Sequence, residues 1–189
     1  MLDPKSEILA ALYHQKPDEA VRLADAAPSL TIWEAAALGR DAAIERLLEA
    51  DASLVNAPAP DGHFPLGLAA FFGHPSTTRR LLACGAHVDA AAQNEMKVQP
   101  LHAAIASRNG ETVALLLEHG ANVNARQQEG YTALMGAAGT GREDLVDLLL
   151  ARGADPTLED ENGKTAVDVA RDHGHEAVAT RLASDGQRG

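Results

Sequence analysis

The chain has little of several things, and each shortage closes off a class of protein. It holds one cysteine, Cys84, so no intrachain disulfide can form; this fits a reducing compartment and predicts a cytoplasmic protein. No apolar run approaches the ~18–20 residues of a membrane span. The longest, Leu66 to Phe72, stops after seven. Met1-Leu2-Asp3-Pro4-Lys5 opens no basic-then-apolar signal segment, so neither export nor membrane attachment is expected. Basic residues are outnumbered, 16 against 27 acidic, for a formal charge of −11. That balance argues against binding nucleic acid or an anionic membrane and suits basic partners. Aromatics are scarce too: one Trp, two Tyr and three Phe in 189 residues. Much of the apolar content is alanine instead, which favours thin, closely stacked helices over a thick core.

What the chain does have is a period. In the stretch Glu111 to Ala125, Val113, Leu116 and Leu117 recur at helical spacing. Gly120 then supplies a left-handed residue that ends a helix without a Cβ penalty, and Asn122 and Asn124 favour a turn. Leu149-Leu150-Ala151-Arg152-Gly153-Ala154-Asp155 repeats the pattern 33 residues later, Leu81-Leu82-Ala83-Cys84-Gly85-Ala86 precedes it by 35, and Leu47-Leu48-Glu49-Ala50-Asp51-Ala52 lies 34 before that. A period near 33 is the mark of stacked helix-pair repeats.

By that period the chain divides into six units. Residues 5–30 form an N-terminal helical cap, with helices over 5–15 and 17–27 and Pro17 opening the second. Lys16 stands in the place of Gly39 one unit on, and the short gap between them leaves no room for a connector between cap and first full unit. Internal repeats follow over 31–60, 61–95, 96–128 and 129–161, and residues 162–186 form a C-terminal capping repeat. The second unit departs from the pattern: Thr77, Thr78, Arg79 and Arg80 replace most of the apolar spacing of its second helix, and the connector after it is two residues longer than the next. It is expected to be the softest place in the stack.

These residues resemble the ankyrin repeat. Its opening Gly-x-Thr-Pro-Leu-His is matched by Gly130-x-Thr132, Gly163-x-Thr165, Pro65-Leu66 and Pro100-Leu101-His102. Its Ala-Ala and Gly-His pairs are matched by Ala69-Ala70, Ala137-Ala138, Gly73-His74 and Gly174-His175. Its Gly-Ala-Asp-Val-Asn exit is matched by Gly85 to Asp89, Gly120 to Asn124 and Gly153-Ala154-Asp155. The style of Ala69 to His74 resembles bacterial members. The resemblance implies an all-α ankyrin-repeat solenoid of helix-turn-helix units joined by short β-hairpin connectors, whose concave face and hairpin tips bind other proteins. Only His102 keeps the histidine that ties neighbouring turns; Trp33, Gly67, Met135 and Asp168 hold its place elsewhere.

No reactive constellation emerges from the sequence. His173 and His175 are poorly spaced for shared ligation, there is no His-Glu-x-x-His, and one cysteine cannot build a thiolate zinc site. Cys84 sits at a helix C-terminus, the wrong end of the dipole to stabilise a thiolate. No cofactor, metal or catalytic residue is expected. The expected function is a non-enzymatic, monomeric scaffold for another protein, with Trp33, Phe64, Phe71, Phe72, Met96, Arg126 and Tyr131 as the contact set on hairpins and concave face. A self-associating structural protein and an enzyme with a groove active site are the alternatives. Residues 61–120 carry four basic and five acidic side chains, whereas 1–60 carry five and ten, and 121–189 seven and twelve. A near-neutral, aromatic middle between acidic ends suits a partner with an apolar anchor and basic flanks.

Overall fold

A computed structural model describes residues 6–185, apart from the side chain of Asp185. Twelve helices are found among the described residues, in six consecutive pairs: α1 (Glu7–Tyr13) and α2 (Pro17–Ala26), α3 (Ile32–Ala37) and α4 (Asp41–Ala50), α5 (Pro65–Phe71) and α6 (Pro75–Ala83), α7 (Pro100–Ala106) and α8 (Gly110–Glu118), α9 (Ala133–Gly139) and α10 (Glu143–Ala151), α11 (Ala166–Asp172) and α12 (Glu176–Asp185). None exceeds ten residues, below the ~12–15 at which an isolated helix holds in water. Stacking must therefore supply the stability. The first helices pack in chain order from α1 to α11 as one layer, and α4, α6, α8 and α10 form a second.

Alanine makes this layering possible. Ala35, Ala36, Ala69, Ala70, Ala103, Ala104, Ala137, Ala138 and Ala170 are all buried, so first helices approach closely. Larger residues fill the space toward the second layer: Ile44, Leu81, Leu116 and Leu149 have no exposed surface. One apolar cluster runs from Leu9 to Leu182, with a small satellite of Ile8, Ala11, Ala20 and Ala24 inside the first pair.

The turn between paired helices needs a positive φ, which Gly39, Gly73, Gly141 and Gly174 supply. Two non-glycines adopt it as well, Gln15 (φ 57°) and Arg108 (φ 58°). This corrects the assignment of Lys16: Gln15 is the counterpart of Gly39, and Lys16 is the N-cap residue of α2 as Arg40 is of α4. Trp33 keeps the place of His102 when counted back from Gly39. However, α3 begins one residue late, so the capping box falls on Thr31 and Glu34 rather than on Trp33. The exit from α4 also lacks its glycine; Asp51 has φ −151° and accepts a hydrogen bond from the Ser53 amide at 2.9 Å, starting a short 3-10 turn.

The connectors are not β-hairpins. Among the described residues there is one isolated antiparallel bridge, Arg126 to Thr132, and no strand. Their arms are too short for a ladder, and each is closed across its arms by a backbone bond, from the amide of Ala59 to the carbonyl of His63, Ala92 to Val98, Gln127 to Tyr131 and Asp160 to Lys164, with a tighter turn bond inside it. Neighbouring connectors are then tied together, by the Gln93 amide to the Gly62 carbonyl at 2.8 Å and the Glu161 amide to the Glu129 carbonyl at 2.9 Å. Asn124 does more than turn the chain: its amide donates to the Gly153 carbonyl and accepts from the Asp155 amide, and Asn56 bridges Gly85 and His87 two units earlier in the same way.

The polar run of α6 has a partner for most of its members. Thr77 and Thr78 are buried. The hydroxyls of Ser76 and Thr77 donate to Asp41 of α4, the latter at 2.5 Å. Arg80 pairs with Glu45 of α4, and Arg79 with Glu111 of α8 at 3.4 Å. The helix trades apolar contacts for bonds to both neighbours.

Candidate interaction groove

Two hollows lie side by side on the face formed by the first helices and the connectors. The first, about 330 Å³, is lined by Tyr13 of α1, Gly67, Leu68 and Phe71 of α5, His102, Ala103 and Ala106 of α7, and the connector residues His63, Met96, Val98 and Gln127. The second, about 270 Å³, is lined by Ile105, Tyr131, Gly136, Gly139 and His173 among others. Both share His102, Ala106 and Gln127, so together they make one groove.

The helical repeat explains who meets whom. The place two residues before the positive-φ turn residue is Tyr13 in α1, Ala37 in α3, Phe71 in α5, Ala106 in α7 and Gly139 in α9. Ala37 is small and buried, so Tyr13 and Phe71 reach over it until their ring centres are 6.5 Å apart. Phe72 stands edge-on to Phe71 at 5.1 Å and lies 5.8 Å from Tyr13. At Ala106 and Gly139 the same row is nearly bare, and the groove opens there.

Tyr13 is fixed from its other end. Its hydroxyl donates to Asp61 Oδ2 at 2.9 Å, while Asp61 Oδ1 accepts the His63 amide at 3.1 Å. Burial, with the charge and the hydrogen bond of Asp61, pushes the Tyr13 phenol far above its ordinary value, so it stays a donor. Burial also holds His63 below the usual imidazole range against the pull of Asp61. His63 faces the Asn94 amide across 3.3 Å. Burial likewise lowers His102; the backbone of Tyr131 and Ala125 favours its protonated form, although neither ring nitrogen meets a partner in hydrogen-bond geometry.

The structure brings part of the expected contact set together. Phe71 and Met96 border the first hollow, at 43% and 55% exposure. Phe72 braces Phe71 but packs half-buried on the core. Tyr131 lines the second hollow. Trp33 sits elsewhere, half-buried beside Leu9 and Pro60, with its indole N–H donating to the Ala57 carbonyl at 2.8 Å. Phe64 is the half-buried N-cap residue of α5 and lines neither hollow. Arg126 is exposed, but its guanidinium is engaged by the carbonyls of Gly130 and Glu159, a tie between connectors. Tyr13, His63, Gly67, Val98 and Gln127 were not singled out by sequence reasoning. For Tyr13 a signal existed, its register with Phe71; for the connector residues only the folded path brings them to the groove.

Among the described residues no group of three or more His, Cys, Asp and Glu could hold a metal ion, and no helix is long and apolar enough to cross a membrane. A one-dimensional stack of helix pairs with bonded connectors defines a solenoid repeat protein. The chain belongs to the ankyrin repeat family: residues 32–127 match the family described as "Ankyrin repeats (3 copies)" and residues 116–170 match "Ankyrin repeats (many copies)". Such repeats are generally protein-interaction modules. Similar curated proteins include human neurogenic locus notch homolog protein 4, 42% identical over 85 residues, or 44% of this chain and 4% of that protein. Human Rabankyrin-5 is 40% identical over 75 residues, 39% of this chain and 6% of that protein. The putative palmitoyltransferase ZDHHC13 of Danio rerio is 36% identical over 101 residues, 52% of this chain and 15% of that protein. The chain thus spans a small fraction of these relatives. All three are vertebrate proteins and lend no support to a bacterial character.

Proposed function

We propose that this chain is a non-enzymatic protein-binding module that holds its partner in the groove between Tyr13 and Tyr131. One observation carries the reading. Of the three large apolar side chains exposed among the described residues, two, Phe71 and Met96, border the same hollow. Exposed apolar groups around a concavity mark contact sites. No cofactor, metal or nucleic acid enters the reading, and the chain works as a monomer in the cytoplasm. The test is affinity capture from an extract of the source organism with the wild type and with Phe71→Ser. A protein retained by the first and lost by the second, at equal folded fraction, is the expected result. Equal retention overturns the reading.

A further inference from the structure

Gly67 is a glycine without a packing reason. It lies inside α5 with ordinary helical backbone, and a Cβ built there meets nothing within 4 Å. Two other first-helix glycines differ: a Cβ on Gly136 would touch Ile105 at 3.1 Å, and one on Gly139 would touch Val169 at 3.1 Å. Glycine lowers helix stability relative to alanine, so α5 forgoes stability at Gly67 and gains only open space. That space is the floor of the first hollow, walled by Leu68, Phe71, Met96 and Val98. Its ~330 Å³ lies at the low end of the range for ligand sites, ~300–1,000 Å³, and suits a side chain rather than a whole helix.

The other end of the groove is acidic. The connector tips and the end of α11 carry five acidic side chains, Glu129, Glu159, Asp160, Glu161 and Asp172, against three basic ones, Arg126, Lys164 and Arg171. Lys164 is already paired with Asp172 at 2.5 Å, and the charge of Asp160 reaches the Tyr131 phenol. Tyr131 lines that part of the groove, so a cation beside it would stand near an aromatic ring and the charge of Asp160 together.

Resting on the protein-binding reading above, we propose that the groove recognises a chain segment of its partner protein that seats one bulky apolar side chain in the notch over Gly67 and lays a Lys or Arg beside Tyr131 and Asp160. Charge complementarity selects this occupant. The chain as a whole is at −11, and the notch is apolar where the tips are acidic.

The test uses the full chain and a display library of random peptides. Wild type should enrich peptides with a Leu, Met or Phe anchor and a nearby basic residue. Gly67→Leu fills the notch with a good helix former and should weaken the selected peptides about thirtyfold or more, the scale of losing an anchor residue, with thermal stability kept. Asp160→Asn combined with Glu161→Gln should weaken them less and flatten their salt dependence. Enrichment of acidic peptides, or binding indifferent to Gly67→Leu, overturns this inference and leaves the protein-binding reading standing. No enrichment over a blank surface overturns both. Sedimentation of the chain alone adds the remaining outcome: a dimer abolished by Gly67→Leu would give the notch to a second copy and overturn the proposal.

Discussion

Glycines in this chain serve opposite ends, and a methyl group distinguishes them. Gly39 has φ +67°, and a Cβ there would lie 2.7 Å from Nδ1 of His74. That ring is held in place by its Nε2, 2.9 Å from the Ala37 carbonyl. Gly39→Ala therefore meets both a left-handed backbone and an anchored ring, and should cost about 1–3 kcal/mol. Gly67→Ala meets neither and should raise stability by up to about 1 kcal/mol. Chemical denaturation of the two variants beside wild type checks the pair. Equal shifts would mean that the space around these positions has been misread. The sequence shows both residues as glycine and Gly39 as a helix terminator. It does not show that His74 fills the space beside Gly39, because that contact spans one unit of the stack.

At the scale of the element, each helix is too short to stand alone and is held by its neighbours in both layers. Leu116 of α8 has no exposed surface, and Leu116→Ala should cost about 2–5 kcal/mol by leaving a cavity. A denaturation midpoint unchanged from wild type would contradict its place between layers. Helix boundaries were largely legible, since Thr31, Pro65, Pro100, Thr132 and Thr165 mark starts and Gly73, Gly85, Gly120 and Gly153 mark ends by local chemistry. The turn at Gln15 was displaced by one residue because a non-glycine adopts the positive φ there. The use of Thr77, Arg79 and Arg80 was also hidden. Their partners Asp41, Glu45 and Glu111 lie on other helices, so a polar run in α6 looks weak until those helices are beside it.

For the whole molecule, titration of buried histidines should set the acid limb of stability. Burial holds His63 and His102 below their ordinary value of 6.5. As pH falls below 6.5, the unfolded chain takes up protons there before the folded chain does. Their contribution is thus present above 6.5 and is lost as pH falls toward the folded values. Denaturation midpoints should fall between about pH 7.5 and pH 5.5, and less steeply in His102→Gln. A midpoint flat over that interval, or a slope untouched by the substitution, would remove burial of His102 as a cause. The same scale governs the groove. The N-terminal pair contributes Tyr13 to a hollow built by α5, α7 and three connectors, so this end of the stack shapes the groove too.

The sequence by itself determined that the chain stacks helix pairs, how many, and roughly where each begins. Those features are written in short-range patterns, the turn glycines, leucine pairs and alanine stripes repeated near every 33 residues. Only the tertiary structure decided which side chains share a surface. Tyr13 finds Phe71 across Ala37, Met96 arrives on a connector, and Arg126 turns back onto backbone carbonyls. Such meetings depend on the separation of units and the direction of each side chain, quantities that a nearest-neighbour pattern does not carry.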